Sequence, residues 1–200
     1  MSLRKLDVLV VGAGFSGLYL LHKLRSSGFS TAVVEKADQL GGTWHWNRYP
    51  GARCDIPSLQ YSYQFDEDLQ QDWNWSEKYS AQPEILEYLN HVADRFDLRK
   101  DIEFSTEVIS ARFNEGKSLW EIKTSQGEIE TKFCVMATGC LSAPNTPDFK
   151  GLDDYEGQFL HTGKWPQTPV DFTGESVAII GTGSSSIQSI PVIAEQAKHL

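Results

Sequence analysis

The chain has 200 residues, of which 40% are hydrophobic and 22% charged, proportions typical of a globular protein of one domain or little more. Its formal net charge of −9 argues against a nucleic-acid or anionic-membrane partner, because either would require a basic face. No run of about 18 apolar residues occurs, so no membrane-spanning helix is predicted. The three cysteines are odd in number and lack CxxC or zinc-ligand spacing, which favours a reduced, cytoplasmic chain without a metal site.

The N-terminal segment predicts a strand, a glycine turn, a helix and a second strand. Residues 6–11 (LDVLVV) form an apolar run typical of a strand buried on both faces. Residues 18–28 (LYLLHKLRSSG) carry leucines at helical spacing and end at a glycine. Residues 30–36 (STAVVEK) then predict the second strand. This order indicates a βαβ unit with a right-handed parallel crossover.

The glycine turn of this unit has the spacing of a dinucleotide-binding motif. Gly12, Gly14 and Gly17 form GxGxxG, in which the glycines allow a tight turn, close approach of a pyrophosphate, and close packing of helix on strand. Glu35 closes the second strand 21 positions after Gly14, where a carboxylate can accept hydrogen bonds from an adenosine ribose. The sequence therefore predicts that this unit binds a dinucleotide.

The middle of the chain predicts one amphipathic helix followed by a small antiparallel meander. The helix is expected over 82–98, and the meander over 103–113, 118–124 and 128–139, the last segment continuing as a buried strand. Residues 141–151 contain two prolines and predict a linker.

A second strand, glycine turn and helix are predicted over 176–200, with the helix running to the end of the chain. Gly181 and Gly183 open the turn, and Ser186 stands where the third glycine would be. Serine is small enough for close packing, so a second nucleotide site is predicted; a purely structural turn is the alternative. The residue that would select NADH or NADPH lies roughly 20 positions further on, past Leu200.

Two dinucleotide motifs in one chain indicate a flavin in the first and a nicotinamide in the second. The predicted fold class is α/β, a Rossmann-like flavoprotein with two dinucleotide-binding domains, a small meander and an incomplete second domain. The predicted boundaries are a FAD-binding domain over 1–141, a linker over 142–174 and the start of an NADP-binding domain over 175–200. Residues 41–55 (GGTWHWNRYPGARCD) are expected to place aromatic rings beside the flavin; alternatively, those rings fill an interdomain core.

Two longer motifs carry a family resemblance that extends from about Asp7 to Leu200. Residues 41–55 fit the pattern [A/G]GxW-x4-[F/Y]P[G/M]-x3-D, and residues 155–166 (YEGQFLHTGKWP) fit F-x-G-x3-H-x3-W-[P/D], with tyrosine in place of the first phenylalanine. Both patterns are fingerprints of the Baeyer–Villiger monooxygenases. The segment MATG at 136–139 also resembles a strand-end motif shared across this flavoprotein class. The chain is most similar to the ketone-oxygenating type I branch.

The resemblance implies a FAD-dependent, NADPH-using enzyme that inserts one oxygen atom from O2 next to a ketone carbonyl, through a flavin C4a-peroxide, to give an ester or lactone. The implied partners are a small-molecule ketone and O2. Family members are much longer, and their catalytic arginine lies beyond the part that matches, so the 200 residues alone are expected to be inactive. The alternatives are a nitrogen- or sulfur-oxidising flavin monooxygenase, a pyridine nucleotide–disulfide reductase (weakened by the missing CxxC), and a non-catalytic FAD-binding fragment.

The resemblance also implies roles for individual residues. Asp55 is expected near the reactive edge of the flavin, and Arg53 against the nicotinamide cofactor. His161 is expected to act in domain motion, with Gly157 and Trp165 in the same linker fingerprint. The expected cofactor-binding residues are Gly12, Gly14, Phe15, Ser16, Gly17, Glu35, Gly42, Thr43, Trp44, Trp46, Asp55, Tyr61, Val108, Thr182, Gly183, Ser184, Ser185, Ser186 and Gln188.

Overall fold

The computed structural model describes residues 3–200, which divide into two compact units. The first unit contains the described residues up to His45 together with Glu87–Ser142, and the second contains Trp46–Leu86 and Ala143–Leu200. The strands are β1 Arg4–Val11, β2 Thr31–Val34, β3 Ile102–Glu103, β4 Val108–Asn114, β5 Leu119–Thr124 and β6 Glu128–Met136. The α-helices are α1 Phe15–Ser26, α2 Thr43–Trp46, α3 Glu67–Asp72, α4 Gln82–Arg95 and α5 Ser184–Ala194. None of the helices in this described part is long and apolar enough to cross a bilayer.

The first unit is built on one six-stranded sheet in the order β3-β2-β1-β6-β5-β4. β1 lies between β2 and β6 and is parallel to both, whereas β4, β5 and β6 form an antiparallel meander. The central residues of β1, Val8–Val10, are buried, as expected for a strand in the middle of a parallel sheet. The predicted α/β fold class with a parallel crossover and a meander is confirmed.

The predicted elements of the first βαβ unit are confirmed with small changes at their ends. α1 begins at Phe15, three residues earlier than predicted, and buries Leu18 and Leu21. Segment 103–113 divides in two: Ile102–Glu103 pairs with β2, and only Val108 onward joins the meander. This division arises because the N–H groups of Ser105 and Thr106 donate to the carbonyls of Ala37 and Glu35, beyond the end of β2.

Helix α4 ends at Arg95, so its predicted continuation to residue 98 is wrong. Asp97 adopts a left-handed backbone conformation, with φ of 48°. The N–H of Leu98 donates back to the carbonyl of Ala93 at 2.8 Å, a closure typical of helix C-termini. The helix therefore ends one turn before its apolar pattern does.

Two predictions for the C-terminal segment are wrong. Residues 176–180 form no strand; within residues 3–200 they make only an isolated bridge between Ser176 and His199. Ile180 is 78% exposed, because no described strand lies beside it to complete a ladder. Helix α5 also stops at Ala194 rather than continuing to the end of the chain. The chain leaves the helix because the N–H groups of Gly174 and Lys198 donate to Gln196 and Glu175, which pairs residues 196–199 with residues 172–177.

Candidate functional site

The first glycine turn is packed so closely that two of its glycines have no room for a side chain. Gly12 has a φ of 105°, and a β-carbon there would lie 2.7 Å from the carbonyl oxygen of Ala137. A β-carbon at Gly17 would lie 1.8 Å from the carbonyl oxygen of Gly12. The turn therefore holds the start of α1 directly against the end of β1. The N–H group of Ser16 lies in the first helical turn, where backbone donors have no acceptor inside the helix and favour an anion.

A second glycine pair packs on this turn. Gly42 has a φ of 54°, and a β-carbon there would lie 3.0 Å from the α-carbon of Gly14. The N–H of Gly41 donates to the carbonyl of Ala13 at 3.0 Å, which joins the two backbones. The start of the first fingerprint is thus fixed against the GxGxxG turn, and Trp44 follows directly in α2. Our sequence reasoning did not predict this contact, although the Gly-Gly pair was a usable signal for a close backbone approach.

Glu35 is bound to the glycine turn through its carboxylate. Its Oε2 accepts a hydrogen bond from the N–H of Ala13 at 2.7 Å, and its Oε1 accepts one from the N–H of Ala37 at 2.9 Å. The side chain is buried at the end of β2. Each carboxylate oxygen has a second lone pair, so these bonds are compatible with further acceptance from a ribose hydroxyl. That role stays a prediction.

Two further cofactor candidates take part in the packing of the first unit. Val108 opens β4 opposite Thr124 and packs against the apolar cluster beneath the sheet. The ring of Phe15 stacks on that of Tyr88, with centroids 6.3 Å apart. The structure places both residues in the unit that contains the first glycine turn.

In the second unit, Gln188 of α5 holds the loop that contains Arg53. Its Oε1 accepts from the hydroxyl of Tyr49 at 2.8 Å and from the N–H of Arg53 at 3.3 Å. Its Nε2 donates to the carbonyl of Arg53 at 3.1 Å. Gly51 has a φ of 75°, and a β-carbon there would lie 2.1 Å from the carbonyl oxygen of Gln188. These contacts explain two fixed positions of the first fingerprint, Tyr49 and Gly51, by packing within the protein.

The charged side chains at the end of the first fingerprint are not bound by Gln188: Arg53 pairs with Glu77, and Asp55 faces solvent. The Nη1 of Arg53 lies 3.1 Å from Oε2 of Glu77, and Asp55 is exposed.

Burial, with smaller contributions from Cys54 and Asp55, raises the pKa of Tyr61 to about 12. The Tyr61 phenol therefore stays neutral across the physiological range.

The aromatic residues of this segment differ in exposure. Trp44 and Tyr49 are buried, whereas Trp46 is 41% exposed. The core-filling alternative therefore does not account for Trp46.

The second glycine turn reproduces the turn and helix of the first. Gly181 has a φ of 138°, and Gly183 precedes α5 in the same extended conformation that Gly14 has before α1. Ser186 fits the place of the third glycine, with its Oγ 3.0 Å from where a β-carbon of Gly181 would lie. Thr182, Ser184 and Ser185 complete the turn and the first turn of the helix.

The residues of the second fingerprint are held by contacts within the second unit. The Nδ1 of His161 accepts from the N–H of Gly163, and its Nε2, assigned as the protonated nitrogen from this pattern, donates to the carbonyl of Asn145, both at 3.1 Å. A β-carbon at Gly157 would lie 2.3 Å from the hydroxyl of Tyr155. Trp165 packs against Phe172, with ring centroids 6.3 Å apart. Both ring nitrogens of His161 are thus bonded within the segment predicted as a linker, which supports a structural role.

Residues 9–198 match the model of the pyridine nucleotide-disulphide oxidoreductase family, and the chain belongs to that family. It is 50% identical over 196 residues to a Baeyer–Villiger monooxygenase from Pseudooceanicola batsensis, across 97% of this chain and 36% of that protein. It is 44% identical over 196 residues to a phenazine N-monooxygenase from Lysobacter antibioticus, with the same two coverages.

The solved structures similar to this chain also include monooxygenases. A cyclohexanone monooxygenase from Rhodococcus sp. Phi1 bound to NADP+ superposes with a TM-score of 0.94 at 48% identity, covering 100% of this chain and 38% of that one. A complex of OTEMO with FAD and NADP gives 0.91 at 40% identity, covering 98% and 38%. The resemblance to Baeyer–Villiger monooxygenases is confirmed. The chain spans 36–38% of the length of these relatives.

Proposed function

We propose that this chain serves a FAD- and NADPH-dependent monooxygenase that inserts one oxygen atom from O2 next to a ketone carbonyl to give an ester or lactone. The observation that carries the proposal is the glycine turn at residues 12–17, closed by Glu35 and packed against Gly42. The relatives named as ketone monooxygenases, and the relative structure with bound FAD and NADP, support it.

The residues of the first unit fit the adenosine diphosphate half of FAD. Gly14 and Gly42 meet backbone to backbone, and neither residue carries a β-carbon at the contact. The missing β-carbons are what the close approach of a pyrophosphate to the first-turn amides of α1 requires. FAD, when bound, supplies the redox chemistry and the activation of O2. The residues proposed to hold it in this unit are Gly12, Gly14, Phe15, Ser16, Gly17, Glu35, Gly42, Thr43, Trp44 and Val108.

The residues of the second unit are proposed to serve the reacting end and the second nucleotide. Asp55 supplies a carboxylate that orients a cation from elsewhere in the enzyme. Tyr61 stays an uncharged hydrogen-bond donor because its pKa is raised to about 12. Arg53 contacts the nicotinamide nucleotide after exchanging its ion pair with Glu77. Trp46 is proposed as a flavin neighbour. Residues 182–186 are proposed to bind the pyrophosphate of NADPH through the first turn of α5.

Oxidation of a heteroaromatic nitrogen is the second candidate function. It is favoured by the 44% identity to a protein named as a phenazine N-monooxygenase, which is not far below the identity to the Baeyer–Villiger relative. The same FAD and NADPH sites would serve both reactions. Product analysis of the enzyme that contains this chain, supplied with cyclohexanone or with phenazine, separates the two: a lactone supports the first candidate and an N-oxide the second.

A cytoplasmic location is also part of the proposal. Cys54, Cys134 and Cys140 are all free cysteines, as expected for a protein kept in a reducing compartment. The proposed partners are a small-molecule ketone and O2, with no nucleic acid and no membrane. Fractionation of the native host tests the location, and recovery of the protein with the membranes would contradict it.

Retention of FAD by the purified chain tests the proposed cofactor site. The chain is mixed with FAD, passed over a gel-filtration column and examined for flavin absorbance. Gly14→Ala is the informative variant: its β-carbon would lie 3.4 Å from Gly42, an ordinary contact, yet it would stand where the pyrophosphate approaches. Gly116→Ala is the matched control, because its β-carbon would meet only the Asn114 side chain at 3.5 Å.

We expect the original chain and Gly116→Ala to retain flavin and Gly14→Ala to lose it while keeping its circular dichroism spectrum. Flavin retained equally by all three proteins would contradict the proposed site. The chain alone is expected not to consume NADPH with a ketone, because it spans only 36–38% of the relatives' length. Ketone-dependent NADPH oxidation by the isolated chain would contradict that expectation.

A further inference from the structure

We infer that Gln188 is a positioning residue that fixes the backbone of Arg53 to helix α5, so that the fingerprint loop (residues 49–55) and the second glycine turn move together. The inference deepens the proposed function and rests on it for the identity of the nucleotide. It assigns Gln188 to the protein's own loop, in place of the direct cofactor contact expected from its place in the motif.

The first support is the match between the Gln188 amide and the Arg53 peptide. The amide oxygen accepts from the Arg53 N–H at 3.3 Å, while the amide nitrogen donates to the Arg53 carbonyl at 3.1 Å. A single planar amide thus satisfies both backbone groups of one residue, as a neighbouring strand would. Glutamate could only accept and leucine could do neither, so this residue type meets a specific requirement.

The second support is the opposite edge of the same segment. Arg53 forms an antiparallel bridge with Ala81, closed by hydrogen bonds from Cys54 to Ser80 at 3.1 Å and from Gln82 to Ala52 at 2.8 Å. In this pairing the N–H and carbonyl of Arg53 point away from residue 81, towards Gln188. The Arg53 backbone is therefore held on both edges, and Gln188 provides one of the two.

The third support is the packing of the main chains. Gly51 lies against the carbonyl of Gln188, where a β-carbon would approach to 2.1 Å, and the Tyr49 hydroxyl donates to the Gln188 side chain at 2.8 Å. Gln188 lies four residues, about one helical turn, after Ser184. A nucleotide bound at the first turn of α5 would thus be one turn away from the residue that holds the fingerprint loop. The loop carries Arg53 and Asp55, so the contact links nucleotide binding to the placement of both.

Hydrogen exchange of the Arg53 amide and the 13C shift of its carbonyl, measured by NMR on the 200-residue chain, test the inference. Gln188→Leu removes all three hydrogen bonds of the side chain. Gln188→Glu has nearly the same shape and keeps the acceptor for Arg53 N–H but loses the donor to the Arg53 carbonyl. Gln196→Leu is the matched control, because it removes a different glutamine oxygen that accepts a backbone N–H, from Phe172 at 3.3 Å.

We expect the Arg53 amide to exchange roughly tenfold faster in Gln188→Leu and to recover most of its protection in Gln188→Glu. Relative to the original chain, the Arg53 carbonyl shift should change in both Gln188 variants. It should stay the same in Gln196→Leu. Protection of Arg53 that is unchanged in Gln188→Leu would overturn the inference. Should that variant unfold, a carbonyl shift in Gln188→Glu identical to that of the original chain would overturn it equally.

Addition of NADP+ separates this inference from the proposed function. We expect NADP+ to increase protection at Arg53 in the original chain and in Gln196→Leu but not in Gln188→Leu. An increase of equal size in Gln188→Leu would overturn the link between the loop and the nucleotide turn. If NADP+ does not bind the original chain at all, the proposed nucleotide site fails, and the ligand-free exchange rates still decide whether Gln188 positions Arg53.

Discussion

Replacement of Glu35 by alanine is expected to destabilise the first unit strongly, because its carboxylate satisfies two buried backbone donors. The N–H groups of Ala13 and Ala37 donate to it at 2.7 and 2.9 Å, and these two residues are 0% and 3% exposed. Both donors therefore lie away from bulk solvent in the folded chain. An unsatisfied buried donor costs about 1–3 kcal/mol, so the variant is expected to lose about 2–6 kcal/mol of unfolding free energy. That loss is a large fraction of the about 5–15 kcal/mol that stabilises an ordinary domain.

Urea unfolding followed by circular dichroism measures this loss, compared at an unchanged dependence on urea concentration. Glu35→Gln keeps one acceptor oxygen and is expected to lose about half as much. Glu107→Ala is the control: its carboxylate forms an exposed ion pair with Lys36 at 2.7 Å, which contributes at most about 1 kcal/mol. A loss in Glu35→Ala no larger than in Glu107→Ala would refute the reasoning, since the two bonds would then contribute nothing beyond a surface contact.

Three further outcomes are expected. Gly17→Ala should lower the urea midpoint and reduce the free energy of unfolding by about 3 kcal/mol or more, because its β-carbon would lie 1.8 Å from the carbonyl oxygen of Gly12. An unchanged midpoint would show that α1 moves aside at no cost. The Tyr61 phenolate should appear in absorbance at 295 nm near pH 12 rather than near the ordinary tyrosine value of about 10. Because the pKa of Tyr61 is higher in the folded than in the unfolded chain, its contribution to stability is complete below about pH 10 and is lost as the pH rises through 12. Loss of the late phenolate transition in Tyr61→Phe would assign that transition to Tyr61. A transition that the substitution leaves unchanged would contradict the assignment. His161→Ala should accelerate trypsin cleavage at Lys164, since the bonds from His161 to Asn145 and Gly163 are lost; an unchanged cleavage rate would argue against its structural role.

The sequence predicted those elements whose signals are local. The apolar run of β1 and the leucine spacing of α1 reflect burial within the element itself, and the GxGxxG spacing located the turn between them. The end of α4 was missed because the residue in the left-handed conformation is Asp97, and no glycine marks it. The strand predicted at 176–180 was wrong because an apolar run indicates burial, whereas a strand also needs a neighbour to complete its hydrogen bonds.

The contacts of the candidate site were harder to predict because they join distant parts of the sequence. Glu35 could be assigned to the dinucleotide motif by spacing, but its bond to Ala13, 22 positions away, depends on how the strand ends meet. Gln188 and Tyr49 are 139 positions apart, and nothing in either segment indicates the other. Residue type shows what a side chain can bind, whereas the fold decides which partner it reaches.

The two glycine turns show how much a shared spacing leaves undetermined. At the first turn α1 follows a strand held between two parallel neighbours, and the third position must be Gly17 because a β-carbon would strike the Gly12 carbonyl. At the second turn the preceding residues belong to no described strand, and the equivalent position accommodates Ser186 with its hydroxyl near Gly181. The residue preceding each helix has nearly the same backbone conformation, Gly14 with φ −86° and Gly183 with φ −82°. The motif therefore specifies the entry into the helix at both turns, while the packing of the helix on the preceding segment decides whether its third glycine is obligatory.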